Sequence, residues 1–371
     1  MRRSRFAMSA ALAVAVVLMP LGRAGRMSNN ALLQERETLS QDDRAVFGDL
    51  LGSMRFESEA PEVTPEVIRA AEAARDREKA REVLDDPNRP KVKKVWHWKP
   101  VETGGLRPTP REGHTSVAVE EYLVVFGGCF LDRECFGDVR VLDTVEDRWF
   151  APVVSGVGPT PREGHSATLV ADNIYVFGGS SEQGYMNDLY VLAVGEQSAG
   201  EQMRMAWGTV DVSGRAPSPR EGHSATAVNE RIFVFGGFTE EGYSNDLYVL
   251  NVALMAWEKP PVAGTAPSGR EGHAATLFKD RIIVFGGFMD GGCLNDVAVL
   301  DTGTQTWVRP EVSGAPPRPR QDMSAVRRGH TILYTGGCNF ARQECYADSF
   351  VLDLRERQWR GGAFLKGGNF A

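Results

Sequence analysis

The tetrapeptide Arg-Glu-Gly-His begins at Arg111, Arg162, Arg220 and Arg270, and a worn copy, Arg320-Gln321-Asp322-Met323, follows 50 residues after the fourth. Each copy leads into an apolar run and a diglycine, at 127, 178, 236, 286 and 336, and then into a Trp, at 149, 207, 257, 307 and 359. The period is about 50 residues, with one interval of 58 whose extra eight residues form the polar stretch 195–202. Repetition at this period restricts the chain to one supersecondary unit copied side by side, each copy burying the face of its neighbour.

Each unit carries four short strand signals separated by turn residues. In the third they are His223–Val228, Arg231–Phe235, Leu247–Asn251 and Ala256–Lys259, called strands a, b, c and d. Strand b, Ile232-Phe233-Val234-Phe235, is continuously apolar. A half-buried strand would alternate, so this one is covered on both faces. Four antiparallel strands covered on both faces and repeated around an axis describe an all-β fold, a β-propeller. The diglycine after strand b removes two side chains where backbones crowd and permits positive φ. The Trp on strand d is a large apolar plate for the interface between blades.

The Pro-Arg-x-Gly-His motif, the diglycine, the Asp before strand c and the spaced Trp resemble the kelch repeat, also found in the central domain of galactose-oxidase-like proteins. The resemblance covers about Trp98 to Trp359. Many kelch units carry a Tyr seven residues before the Trp; here that column holds Leu142, Leu250, Leu300 and Leu352, so the packing there is expected to be aliphatic. The resemblance implies a scaffold or binding role more often than catalysis, and fold alone does not settle function.

Residues 1–26 have the form of a secretory signal peptide: Arg2, Arg3 and Arg5, then an uncharged run from Phe6 to Gly22, then small residues. The run is short for a bilayer span of about 20 residues, so no stable membrane span is expected after its removal. A plastid or mitochondrial transit peptide is the alternative. Residues 27–95 read as a charged, partly helical linker, with helix signals from Ser40 and from Thr64-Pro65; a partner-binding helix is the sharper reading. Trp98 precedes His114 by 16 residues, the gap that separates Trp149 from His165, Trp207 from His223 and Trp257 from His273. It therefore occupies a strand-d position, and the expectation is a propeller of five full four-stranded blades plus a partial sixth over residues 96–360, followed by a tail, 361–371.

In an up-and-down blade the lead-ins to strand a and the b-to-c loops share one face. The lead-ins supply Arg111, Arg162, Arg220, Arg270 and Arg320, with Glu112, Glu163, Glu221 and Glu271 beside four of them. The loops supply Phe130, Leu131, Tyr185, Phe238, Tyr243, Phe288, Phe340 and Tyr346. Arg with aromatic residues is the composition of binding hot spots, so this face is the candidate docking surface for a protein or peptide partner. The repeated Arg-Glu pairs have a plainer reading as an ion-pair network between blades, which makes the non-repeating aromatic loops the stronger candidates. The repeated His114, His165, His223 and His273 are read as structural, each bonded to the backbone of a neighbouring blade, rather than as metal ligands. Cys129 and Cys135 flank one b-to-c loop, and Cys338 and Cys345 another; each pair is read as a disulfide if the chain is secreted, with Cys293 unmatched.

The net charge of −7 argues against a nucleic-acid binder. No nucleophile elbow, phosphate-cradling loop or paired carboxylate motif occurs, and no cofactor is implied. The primary reading is a non-catalytic interaction scaffold. The alternatives are a metal-dependent enzyme of galactose-oxidase or glucosinolate-specifier type, although the Glu, Asp and His spacing of the latter is missing, and a carbohydrate-binding module.

Overall fold

A computed structural model describes residues 99–130, 134–195 and 203–361. The chain divides into two units, residues 17–98 and the remainder, and every described residue belongs to the second. Five four-stranded antiparallel sheets follow one another. Their inner strands a are Thr115–Val119, Ser166–Val170, Ser224–Val228, Ala274–Phe278 and Ser324–Arg328. In the third blade strands b, c and d are Arg231–Phe235, Leu247–Asn251 and Ala256–Glu258, within one residue of the sequence reading. The sixth-blade strand expected at Trp98, the segments 1–26 and 27–95, and nearly all of the tail lie outside the described residues.

The apolar strand b is buried because both its faces meet other blades. Phe233 and Phe235 of blade 3 pack against Ile282, Val284 and Leu300 of blade 4, while Ile232 and Val234 turn the other way, towards Tyr175 and Phe177 of blade 2. Each Trp from blade 2 onward lies on the Phe that ends strand b of the preceding blade: Trp207 on Phe126 at 5.0 Å, Trp257 on Phe177 at 5.0 Å, Trp307 on Phe235 at 4.8 Å and Trp359 on Phe285 at 4.9 Å. Burying such a plate removes about 150–250 Å² from water, roughly 4–6 kcal/mol per junction. The Leu column lies across from it, Leu250 pairing with Trp257 and Leu300 with Trp307, and is buried as the aliphatic reading expects.

Sequence reasoning missed a fifth, parallel strand on the outside of four blades. Gly104–Gly105 pairs with Arg148–Phe150, and the segments at 153–155, 213–214 and 263–264 repeat this on blades 2 to 4. The last three segments each leave one blade and flank the outer strand of the next. Their signal was present as a Gly seven residues after Trp98, Trp149, Trp207, Trp257 and Trp307. Gly214 has φ +81, and a Cβ there would stand 2.2 Å from the Trp257 carbonyl oxygen.

Each diglycine joins two blades. The Gly179 N–H donates to the Arg220 carbonyl at 2.8 Å, and Gly128, Gly237 and Gly287 donate likewise to Arg162, Arg270 and Arg320. A Cβ on Gly179 would lie 2.5 Å from the Glu163 carbonyl oxygen of the same blade, so a side chain there would force the hairpin off its own lead-in. Four junctions of this kind run from blade 1 to blade 5. Between blades 5 and 1 the described residues form no corresponding bond from Gly337 to Arg111.

Candidate functional site

The lead-ins to strand a and the b-to-c hairpins are joined by backbone bridges, Glu112 to Cys129, Glu163 to Ser180, Glu221 to Phe238, Glu271 to Phe288 and Gln321 to Cys338, so they lie on one face. The five arginines expected at that face are turned inward. Arg162, Arg220 and Arg270 are fully buried, Arg320 is 1% exposed, and the Arg111 side chain is 4% exposed. Their presence in the docking surface is therefore corrected.

Nor do they pair with the neighbouring Glu. Arg162 donates to both carboxylate oxygens of Asp188 in its own blade, at 2.5 and 2.9 Å, and to the Gly178 carbonyl at 2.9 Å. Arg111, Arg270 and Arg320 bind Asp138, Asp296 and Asp348 in the same two-pronged way. The planar guanidinium fits this geometry, holding the loop before strand c to the diglycine. Burial alone would raise the Asp296 carboxyl; the Arg270 guanidinium outweighs it and holds the group below the usual carboxylate range. Blade 3 differs. Asp246 turns to Lys259 at 2.7 Å, and Arg220 donates to the Gly236 carbonyl and to Ser218 instead.

His165, His223 and His273 are structural and bond the preceding blade through side chains. Nε2 of His165, His223 and His273 lies 2.8–2.9 Å from Thr115, Ser166 and Ser224 hydroxyls on the preceding blades. Burial, then the nearby Arg162 and Arg270, lowers His165 and His273 to about 3, so both are neutral. Among the described residues no three His, Cys, Asp or Glu side chains are grouped as metal ligands would be.

The b-to-c hairpins hold one cross-strand slot, filled differently in each blade. The occupants are Cys129 and Cys135, Ser180 and Tyr185, Phe238 and Tyr243, Phe288 and Cys293, and Cys338 and Cys345. In blades 1 and 5 the slot is a disulfide. Cys293 is free and half-buried; burial, with Asp322 nearby, pushes its thiol up to about 11, so it is a poor nucleophile near neutral pH.

In the middle blades the slots touch one another. Tyr185 meets Phe238 at 5.9 Å, Phe238 meets Tyr243 at 4.7 Å, and Tyr243 meets Phe288 at 5.8 Å. These four half-buried rings form a continuous aromatic run across blades 2, 3 and 4. Phe130 and Phe340, 44% and 57% exposed, stand apart at the disulfide-closed hairpins. Tyr346 belongs to the clamp, since its ring lies under Arg320 at 4.3 Å and its hydroxyl donates to Glu344. Leu131 lies outside the described residues.

The family model for the KLHDC2/KLHL20/DRC7 kelch-repeats domain matches residues 92–203 and 201–363. Host cell factor of Drosophila melanogaster is 35% identical over 167 residues, 42% of this chain and 11% of that protein. Acyl-CoA-binding domain-containing protein 4 of Arabidopsis thaliana is 31% identical over 159 residues, 43% of this chain and 23% of that protein. The Rab9 effector protein with kelch motifs of Gallus gallus is 35% identical over 162 residues, 41% of this chain and 40% of that protein. The chain thus spans less than half the length of each of these relatives.

Proposed function

Because the chain belongs to the kelch-repeat family, we propose that it is a non-catalytic scaffold that docks a protein or peptide partner on its lead-in and b-to-c loop face. Kelch-repeat relatives of this kind, the Rab9 effector among them, are interaction proteins. The observation that carries the reading is the aromatic run from Tyr185 to Phe288. It breaks the repeat, as a surface for an asymmetric partner must, and it offers rigid, amphipathic rings of the kind that anchor interfaces. Phe130 and Phe340 extend the surface on either side.

No helix of the described residues is long and apolar enough to cross a membrane. The oxidised cysteine pairs support a secretory or extracellular location, since such bonds persist in oxidising compartments.

Affinity purification of the full chain tests the docking reading. A Tyr185→Ala, Phe238→Ala, Tyr243→Ala, Phe288→Ala variant is compared with one altered at Leu254 and Val145 on the opposite face, both first checked for wild-type melting. The copurifying partner should be lost from the first and kept by the second. A partner retained by both would remove the reading.

A further inference from the structure

The charges around the aromatic run are one-sided. The hairpins of blades 2, 3 and 4 close through two-residue tips, at 182–183, 240–241 and 290–291. Those tips carry Glu182, Glu240, Glu241 and Asp290, all exposed and none in an ion pair among the described residues. On the axial side the backbones of Glu163, Glu221 and Glu271 bridge to Ser180, Phe238 and Phe288. The segments 178–188, 236–246 and 286–296 contain no Lys or Arg. Of the nearby cations, Arg162 pairs with Asp188, Arg270 with Asp296 and Lys259 with Asp246, and Arg220 is buried on backbone and Ser218 acceptors; Arg309 lies beside Asp296, at the base of the blade 4 hairpin rather than at its tip. The two hairpins outside the run differ, because each carries an Arg, Arg133 and Arg342, along with a disulfide.

We propose that the occupant of this run is a basic, extended peptide segment of a partner, its Arg or Lys side chains lying over the rings of Tyr185, Phe238, Tyr243 and Phe288 and reaching the carboxylates of the hairpin tips. This rests on the docking reading above and adds the chemistry of the segment. A guanidinium satisfies both halves of such a surface, because it stacks on aromatic faces and forks onto carboxylates. The protein already makes the first contact in buried form, with Arg320 over Tyr346 at 4.3 Å and Arg111 over Phe136 at 4.1 Å. From ring to ring the run spans at most about five extended residues, at roughly 3.3 Å each. An acidic segment would meet uncompensated carboxylates, and a purely apolar one would leave them unused.

The test uses the full chain and two fluorescein-labelled decapeptides, one alternating Arg and Gly and one alternating Glu and Gly, read by anisotropy. One variant neutralises the tips (Glu182→Gln, Glu240→Gln, Glu241→Gln, Asp290→Asn). A control of equal charge change neutralises the opposite face (Glu146→Gln, Asp172→Asn, Glu230→Gln, Asp280→Asn). The inference expects binding of the basic probe only, weakening by about tenfold in the tip variant, by less than about threefold in the control, and further with added salt. Equal weakening by both variants would mean diffuse attraction to an acidic protein and would overturn it. So would binding of the acidic probe, or a rim-dependent dimer with no affinity for the basic probe. If the basic probe fails while the aromatic variant still loses its copurifying partner, docking stands and the basic occupant is wrong. If that partner survives the aromatic variant, the docking reading itself fails.

Discussion

Nε2 of His223 lies 2.9 Å from the Ser166 hydroxyl, across the boundary between blades 2 and 3. The same contact joins His165 to Thr115 and His273 to Ser224, and Nδ1 of all three rings is buried without a hydrogen-bond partner. These imidazoles sit in place as neutral rings, so protonating one would leave a charge among apolar side chains.

Stability should therefore fall as the medium is acidified. In the unfolded chain a His titrates near 6.5; in the fold His165 and His273 are lowered to about 3 and His223 well below 6.5, burial being the largest cause. The unfolded state takes up these protons first, so the stabilisation is complete above about pH 6.5 and is lost progressively towards pH 3. Each ring contributes a slope of up to roughly 1.4 kcal/mol per pH unit in that window. Urea midpoints at pH 7.5, 5.5 and 4.5 should drop steeply, and a variant with all three histidines replaced by Gln should show a flatter profile. A wild-type midpoint unchanged to pH 4.5 would contradict the neutral-ring account.

The arginine clamps are not equal. Asp296→Ala should leave the fully buried Arg270 guanidinium without its carboxylate and lower stability by about 3–5 kcal/mol. Asp246→Ala removes only a half-exposed pair with Lys259 and should lower it by about 0–1 kcal/mol. Denaturant unfolding of the two variants side by side checks this; equal losses would show that Arg220 depends on Asp246 after all.

Alkylation of the unfolded, unreduced protein followed by mass spectrometry should find one free thiol, Cys293. Replacing Cys129 and Cys135 by Ser should lower stability by about 2 kcal/mol, as expected for so short a loop. Five free thiols in protein prepared from its natural compartment would remove both bridges.

Much of this was legible in the residues. The period, the doubly buried strand b and the spaced Trp fix blades and junctions because one repeating contact, such as Trp257 on Phe177, requires all three. The Arg partner was not legible. Glu163 is next to Arg162 in the chain, whereas Asp188 arrives from 26 residues away only after the hairpin folds back. The aromatic loops could be named, but the contact of Tyr185 with Phe238 joins two blades and exists only once they stack.

Hydrogen exchange on the chain bound to its copurified partner tests the docking face most directly. Amides of the hairpins at 180–185, 238–243 and 288–293 should gain protection, while the turns at 171–172, 229–230 and 279–280 on the opposite face should not. Protection confined to those turns, with the hairpins unchanged, would contradict the account.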